Sequence, residues 1–390
     1  MKKTMLFAAI AAIALASCAK NEVIQNEADK TPVAFGVYAG RSADTKAAPI
    51  ANVANLATQG GFGVFAYYTG TTDYTASGAI PNFMYNQSVT STDSGTSWTY
   101  SPVKYWPNND TNTANGSATF VDKVSFFAYA PYVANTSAAG ATANTVGITA
   151  FSANDAAQGT KNPEVTYVVA TNPAQSVDFL YNDIDNTNMT KATATISNTI
   201  NFDFKHALTR LGFTVEGVFD ETDADADTHD VDGNTKIYVT SLSVTTSGSS
   251  TGGVFDLFTK TWTDNVATVS SFNVTASNIP SALKDGGTGV TNSPVNLLND
   301  GEYFMLIPDR TSKTYTFNIV YNVVTTDANL SGGKSTITNN ITKNATLTLS
   351  AGKAYTIRLQ LGMTTVKLSA SVNDWSPQVA DPIWLPINNS

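Results

Sequence analysis

Along much of the chain, apolar and polar residues alternate with a period of two. The clearest case is residues 314–325, where every second side chain is aromatic or aliphatic and most of the others are Thr or Asn. This is the spacing of side chains on one face of a β-strand, so each such segment predicts a strand with one buried and one solvated face. The apolar positions that alternate are Tyr315, Phe317, Ile319, Tyr321 and Val323; Tyr355, Ile357, Leu359 and Leu361; Val366, Leu368, Ala370 and Val372; Ile200, Phe202 and Phe204; and Leu211, Phe213 and Val215.

Half-buried strands of this kind are typical of antiparallel sheets packed as sandwiches. A parallel sheet with covering helices would need continuous apolar strands and helical segments, and helical periodicity is nearly absent. Clusters of Gly, Ser, Asn, Asp and Thr separate the strands and predict loops. The sequence therefore predicts an all-β fold. Its length exceeds one ordinary sandwich, so we expect two β-sandwich domains, residues 47–200 and 201–390.

The N-terminus has the pattern of a secretory signal peptide, predicted to span residues 1–17. Two Lys residues precede an apolar run of about a dozen residues, shorter than the roughly 20 that cross a bilayer as a helix. The residues that follow, Leu15-Ala16-Ser17-Cys18, resemble a bacterial lipobox, in which the Cys thiol is acylated and the chain is cut before it. We therefore predict that Cys18 carries lipid and that residues 18–46 form a lipidated propeptide. The alternative is an ordinary signal peptide that contains a Cys.

Composition excludes several functions. Cys18 is the single Cys, so after acylation no disulfide, thiolate metal site or Cys nucleophile is expected. The formal charge is −9 and only 14% of residues are charged, without the basic patch that nucleic acid requires. Nucleotide-binding and hydrolase motifs are absent from the sequence, so neither a cofactor nor enzymatic activity is predicted.

Two further candidates for chemistry are weak. The acidic segment 220–232 fails the test for a calcium-binding EF-hand loop, because the sixth and twelfth positions from Asp223 are Thr228 and Asn234 rather than Gly and Glu. A solvated hairpin tip is the prediction there, with adventitious divalent binding as the alternative. Of the two histidines in the sequence, His206 is assigned a structural or surface role, with a base or ligand as the alternative, and His229 lies in the acidic segment; no metal site is predicted.

The two chain ends are more informative. Residues 31–41 predict a strand with Val33, Phe35 and Val37 on one face, and basic residues in a small, polar setting follow it. Such exposed segments are easily cut, so a trypsin-like protease site is predicted there.

At the other end, residues 379–387 have a similar alternation. Ile383, Leu385 and Ile387 alternate with Trp384 and two prolines, and the prolines suit a strand added at a sheet edge. Removal of the first strand would leave an apolar groove, which the last strand of another copy could fill by β-strand addition. Such a contact need not close on itself, so it builds a filament. The alternative is that both ends pair within one molecule.

Several short motifs, in order, carry a family resemblance. They are Leu15-Ala16-Ser17-Cys18, the segment Val33–Arg41 followed by Thr45-Lys46-Ala47, Gly61-Phe62-Gly63-Val64-Phe65-Ala66-Tyr67, Tyr105-Trp106-Pro107, Val124-Ser125-Phe126-Phe127-Ala128-Tyr129-Ala130-Pro131, Val177-Asp178-Phe179-Leu180-Tyr181, Phe204-Lys205-His206-Ala207-Leu208 and Asn373-Asp374-Trp375. The chain thereby resembles the fimbrillin family, the lipoprotein-derived pilins of type V pili. The resemblance implies two transthyretin-like antiparallel β-sandwich domains in tandem, export as an outer-membrane lipoprotein, removal of the N-terminal strand and assembly into a surface fimbrium that supports adhesion.

Carried over to this sequence, the resemblance implies a lipid on Cys18 and cleavage between Lys46 and Ala47. Arg41–Ser42 is the alternative bond, because arginine-specific processing is the best-known family case. The implied displaced strand contains Val33, Phe35 and Val37, and the implied donor strand contains Ile383, Trp384, Leu385 and Ile387.

The implied partners are other pilin subunits, the outer membrane through the lipid before processing, and a host or bacterial surface ligand. A stalk or tip subunit is favoured over a basal anchor. The second hypothesis is a lipid-anchored surface glycan-binding protein, with exposed Trp98, Tyr105 and Trp106 stacking on sugars. The alternative for these aromatic residues is that they close the end of a sandwich. A hydrolase is the third hypothesis.

Overall fold

A computed structural model describes residues 31–39, 50–75, 80–107, 110–112, 118–134, 144–151, 162–193, 199–218, 234–248, 250–266, 269–363, 365–375 and 383–385. Within these residues the chain is almost entirely β-structure, as the alternation predicts. The strands are β1 Ala34–Tyr38, β2 Phe62–Gly70, β3 Met84–Val89, β4 Asp110–Asn112, β5 Ala118–Phe120, β6 Lys123–Ala130, β7 Gly147–Phe151, β8 Glu164–Val168, β9 Leu180–Asn182, β10 Thr199–His206, β11 Thr209–Gly217, β12 Thr235–Ser247, β13 Ser250–Asp256, β14 Thr261–Val266, β15 Val269–Val274, β16 Val295–Asn296, β17 Phe304–Leu306, β18 Lys313–Thr326, β19 Lys334–Leu347, β20 Lys353–Leu361, β21 Val366–Asp374 and β22 Ile383–Leu385.

Helical structure in the described residues is short. Helix α1 spans Val53–Thr58, and its first turn is capped by the Asn52 side chain, which accepts a hydrogen bond from the Asn55 amide at 2.8 Å. Two 3-10 helices span Pro173–Gln175 and Ser281–Leu283. None of these helices, nor any other in the described residues, is long and apolar enough to span a membrane.

Two pairs of sheets make up the body of the molecule. In the first pair, a six-stranded sheet ordered β1-β10-β9-β6-β2-β3 packs on a four-stranded sheet ordered β14-β13-β8-β7. Aromatic contacts join them, including Tyr129 with Phe151 at 5.0 Å and Tyr181 with Phe255 at 5.0 Å between ring centroids.

In the second pair, a sheet ordered β16-β11-β20-β21-β22, with β17 also paired to β11, packs on a sheet ordered β15-β12-β18-β19. Phe213 of β11 contacts Phe317 of β18 across this interface, at 6.3 Å between ring centroids. The buried faces are those that the alternation predicts, because every second residue is buried from Tyr315 to Val323 on β18 and from Tyr355 to Leu361 on β20. Each of these strands presents its Thr, Asn and charged residues on the other face.

Two strand pairs depart from the antiparallel prediction. β1 is parallel to β10, with Phe35 opposite Ile200, and β11 is parallel to β20, with Phe213 opposite Ile357. Each pair joins strands that are far apart in sequence, so a long connection reverses the chain direction where a hairpin could not. The alternation reports which face is buried, and it carries no information about the direction of a distant partner.

The six-stranded sheet is buried on both faces at its centre. On β2, Phe62 and Val64 lie in one core, while Phe65 and Tyr67 lie in the core shared with the four-stranded sheet. The first core is closed on its outer side by α1 through Leu56 and by other segments of the N-terminal half. Burial on both faces explains why the sequence of β2 is a continuous apolar run rather than an alternating one.

A hairpin from the second half of the chain completes the first pair of sheets. β13 pairs with β8, placing Phe255 opposite Val165, although β13 and β14 lie between β12 and β15 in sequence. Residue 201, the predicted domain boundary, lies within β10, and the chain enters the second pair of sheets at β11. The division into 47–200 and 201–390 stays a prediction, as do tandem transthyretin-like domains.

Candidate assembly site

β1 lies at the edge of the six-stranded sheet and is held along both of its sides. On one side it pairs with β10 from Ala34, opposite Thr199, to Tyr38, opposite Asp203. On the other side, the Val33 amide donates to the Lys104 carbonyl at 2.9 Å. The chain immediately before β1 continues this contact, since the Trp106 amide donates to the Thr31 carbonyl at 2.9 Å. The strand is thus inserted in a slot rather than laid on an open edge.

The side chains of β1 fill that slot with apolar contacts. Val33 and Phe35 are buried, and Val37 packs on the same core while half-buried. Phe35 is the largest of these side chains, and its ring lies among four others. The ring-centroid distances from Phe35 are 5.2 Å to Tyr100, 5.5 Å to Phe202, 6.1 Å to Phe126 and 6.2 Å to Phe62.

Tyr100 closes the outer rim of the slot. Its hydroxyl donates to the Val33 carbonyl at 2.8 Å, and burial raises the pKa of this phenol. The hydroxyl therefore remains a protonated donor at neutral pH, and it binds the backbone rather than the side chain of the strand it covers. A different strand in the slot could accept the same hydrogen bond, because every residue has a backbone carbonyl.

The predicted cleavage bonds lie outside the described residues, but the chain on both sides of them is fixed. Ala39 is buried at the end of β1, and the next described residue, Ile50, is buried in the same core. The Ile50 amide donates to a carboxylate oxygen of Asp178 at 2.9 Å. A cut at either predicted bond would therefore separate β1 from a downstream chain that has its own anchor.

Asp178 is the centre of a buried polar cluster. Its other carboxylate oxygen accepts from the Phe179 amide at 2.8 Å and lies 3.1 Å from Nδ1 of His206. The His206 ring stacks flat on the indole of Trp375, with centroids 3.8 Å apart and an interplanar angle of 4°. We call Asp178, His206 and Trp375 the hub.

The hub links the two ends of the folded body. Through Asp178 it holds the chain just after the predicted cleavage site, and through His206 it holds Trp375, which precedes the predicted donor segment. The Trp375 amide also donates to the Gly352 carbonyl at 2.8 Å, and the Arg210 guanidinium lies 5.7 Å from the Trp375 ring. Three motifs that are widely separated in sequence therefore meet at one point.

The strand-forming part of the donor segment lies on the second pair of sheets. β22 is antiparallel to β21, with Trp384 opposite Ser371 and Leu385 opposite Ala370, and it is the last strand of its sheet. An edge position is what the flanking prolines predict. Ile387 lies outside the described residues.

Other predicted residues also lie outside the described residues. They are Cys18 with the signal peptide, Arg41, Ser42, Lys46, Ala47, His229 and the acidic segment 220–232. In the part of the chain that the structure describes, no group of three or more His, Cys, Asp or Glu side chains is placed to hold a metal ion.

The exposed aromatic platform expected for a glycan-binding surface is not formed. Trp106 is buried and packs on Phe126 at 5.8 Å, and Trp98 is half-buried against Phe62 at 5.0 Å between centroids. Tyr105 is exposed, as predicted. The expectation for the two tryptophans was wrong because their neighbours in the core come from β2 and β6, which are distant in sequence.

Comparison with known proteins places this architecture. A family model described as fimbrillin-like matches residues 45–375. The fimbrium subunit Fim1C of Phocaeicola vulgatus is 25% identical over 397 residues, covering 96% of each chain. The crystal structure of a fimbrial protein from Bacteroides vulgatus covers 89% of this chain and 100% of its own, with a TM-score of 0.62 and 21% identity.

The structural similarity concerns the fold, and the family match extends over most of the sequence, from a point between β1 and α1 to Trp375. This range contains the hub and the strands that form the slot, while β1 and β22 lie outside it. The chain belongs to the fimbrillin-like family, whose members are structural fimbrial subunits rather than enzymes.

Proposed function

We propose that this protein is a stalk or tip subunit of a surface fimbrium that polymerises by β-strand exchange. It is exported as a lipoprotein through Cys18, cut by a trypsin-like protease between Lys46 and Ala47 or between Arg41 and Ser42, and joined to the next subunit by residues 379–387. The observation that carries the proposal is the position of β1. This strand fills an apolar slot at a sheet edge, and its chain connection to the rest of the fold runs through both predicted cleavage sites.

Loss of β1 would leave an apolar slot and an unpaired strand, and both favour the binding of a replacement strand. Full burial of a side chain such as Val or Phe contributes about 1.5–3 kcal/mol, so Val33 and Phe35 together account for roughly 3–6 kcal/mol of burial. The ladder of β10 would also lose its partner. Ile383, Leu385 and Ile387 of another copy provide apolar side chains at the same period. Because the donor and the slot are different surfaces, the contact propagates into a filament.

The hub explains how the body survives processing. Cleavage would free β1, whereas Ile50 stays hydrogen-bonded to Asp178 and buried in the core. The family model starts after β1 and ends at Trp375, before the donor segment. The two segments proposed to be exchanged thus lie outside the range that this model matches.

The partners that follow are other pilin subunits in a homopolymer or mixed fibre, and the outer membrane through the lipid before processing. A tip subunit would in addition bind a host or bacterial surface ligand.

Tail deletion tests the exchange mechanism. A variant that lacks residues 379–390 and is otherwise complete should be exported and processed. It should fail to form the ladders of multimers that resist mild detergent. The matched control removes only residues 388–390, beyond the proposed donor strand, and should polymerise normally. Ladders that persist without residues 379–390 would contradict strand exchange by this segment.

The processing bond is tested separately. Lys46→Ala should block maturation if the bond is Lys46–Ala47, with Arg41→Ala as the control that matures normally. The reverse result assigns the cut to Arg41–Ser42. Normal maturation and assembly of the double variant would contradict processing by a trypsin-like protease.

A further inference from the structure

The slot around β1 determines more than the presence of an incoming strand; it also determines the direction in which that strand runs. The buried residue Val33 directs its amide to Lys104, on the side away from β10. Peptide groups of successive residues in a strand point to opposite edges. The outward-facing residues Ala34, Gly36 and Tyr38 are therefore the ones whose peptide groups point to β10.

This relation is fixed by chirality. For L-residues, the direction of a strand and the face on which a side chain lies together determine the edge to which that residue's N–H and C=O point. If a strand is reversed while the same face stays buried, the peptide groups of its buried residues turn from one edge to the other. In the slot of β1, a reversed strand would pair with β10 through its buried residues rather than its outward-facing ones.

The donor segment has prolines that discriminate between the two directions. With Ile383, Leu385 and Ile387 buried, Pro382 and Pro386 both face outward. In the direction of β1, Pro386 would take the place of Gly36, which pairs with β10, and it lacks the N–H that the ladder needs, whereas Pro382 would take the place of Pro32, before the ladder begins. In the opposite direction, both prolines face the outer side, at the places of Ala34 and Tyr38, past the outer hydrogen bonds that Thr31 and Val33 make with Trp106 and Lys104.

The other way to accommodate the prolines is to bury Trp384 and keep the direction of β1. The subsite of Phe35 is formed by four aromatic rings. The indole of Trp384 is larger than the Phe ring that it would replace there, so its burial would overpack this part of the core. Burial of the three aliphatic side chains avoids this problem.

We propose that the donor strand of a second copy enters the slot antiparallel to β10, opposite in direction to the β1 strand that it replaces. Ile387, Leu385 and Ile383 then take the places of Val33, Phe35 and Val37 in that order. This inference rests on the proposed strand exchange and adds its polarity. It places the body of the donor subunit at the Tyr38 end of the slot.

Disulfide trapping tests the polarity. Asp203 lies opposite Tyr38, so Cys at 203 should meet Cys at 382 in the antiparallel arrangement and Cys at 388 in the parallel one. A disulfide joins residues whose Cα atoms are about 4.4–6.8 Å apart, and residues that lie opposite each other on neighbouring strands are within this range. The full-length chain carrying Asp203→Cys with Pro382→Cys, or Asp203→Cys with Asn388→Cys, is exported, assembled, oxidised and analysed without reductant. Native Cys18 precedes the cleavage site and is absent from mature subunits.

The expected result is a covalent ladder for the 203/382 pair that is at least tenfold stronger than for the 203/388 pair. A stronger ladder from the 203/388 pair would overturn the antiparallel direction while leaving strand exchange intact. No ladder from either pair, in fibres that assemble normally, would overturn strand exchange itself and the polarity with it.

A second set repeats the test at the other end of the slot, so that a variant with reduced export does not leave the question open. Thr199 lies opposite Ala34. Cys at 199 should crosslink with Pro386→Cys in the antiparallel arrangement and with Trp384→Cys in the parallel one. Single-Cys variants, which should give at most dimers, are the controls for both sets.

Discussion

Replacement of Phe35 by Ala should destabilise the unprocessed chain strongly and leave the mature fibre unchanged. Phe35 is 6% exposed and packs within 5.2–6.2 Å of four aromatic rings, measured between centroids. Core Phe→Ala changes cost about 3–5 kcal/mol. Because β1 is an edge strand that can shift to fill part of the cavity, we expect a loss of about 3 kcal/mol.

The control lies on the same strand and faces the other way. Tyr38 is 50% exposed, so Tyr38→Ala should change the free energy of unfolding by about 0.5 kcal/mol or less. Urea unfolding of uncleaved chains, followed by the fluorescence of Trp98 next to Phe62, measures both variants. Equal losses for the two variants, or a loss below about 1 kcal/mol for Phe35→Ala, would refute the argument that β1 is held by its buried face.

The same substitution should accelerate exchange. A loss of about 3 kcal/mol corresponds to roughly a hundredfold faster departure of β1 if its contacts break before the barrier. Cleavage removes all residues before the cut, including the substituted residue 35. Mature fibres should therefore show the stability of the unsubstituted protein.

Three further predictions concern the body of the molecule. Asp178→Ala should reduce the free energy of unfolding by about 2–3 kcal/mol, since it leaves a buried amide without its acceptor, whereas Asp185→Ala in an exposed turn should change it little; urea unfolding measures both. Glu216→Ala should reduce the free energy of unfolding by about 3 kcal/mol in the same assay, because Arg358 on β20 loses its buried counter-charge. Asp285→Asn, which breaks the exposed ion pair with Lys334, should reduce it by less than about 1 kcal/mol. Burial raises the pKa of Tyr321 from 10.0 to about 12, so the stabilisation from its protonated hydroxyl is complete below pH 10 and is lost as the pH rises through 12. Tyrosinate absorbance during alkaline titration should show one tyrosine fewer ionising near pH 12 in Tyr321→Phe than in the wild type.

Strands with one wet face were predictable from sequence, and strands buried on both faces were predictable only in part. On β18, Tyr315 and Phe317 alternate with Thr316 and Asn318, so the pattern itself reports the buried face. On β2 and β6 apolar residues follow one another, as from Phe126 to Ala130, and this removes the alternation because cores lie on both sides. Pairing between distant strands, such as β13 with β8, depends on tertiary contacts that no local pattern encodes.

In the candidate site, too, features set by local sequence were predictable and features set by distant contacts were not. The alternation of residues 31–41 predicted the buried face of β1, including Val33 and Phe35, because that information is local. The hub was missed: His206 was assigned a structural or surface role without a partner, and its contacts with Asp178 and Trp375 link residues far apart in the chain. The available signal was the presence of Asp178, His206 and Trp375 in separate motifs of the same family resemblance.

The N-terminus of the subunit in assembled fibres tests the central claim most directly. Mass spectrometry of protein sheared from the cell surface should find a chain that begins at Ala47, or at Ser42 for the alternative bond, without lipid and without β1. A fibre subunit that still carries acylated Cys18 and residues 31–39 would contradict the account, because the slot would then remain filled by the strand of its own chain.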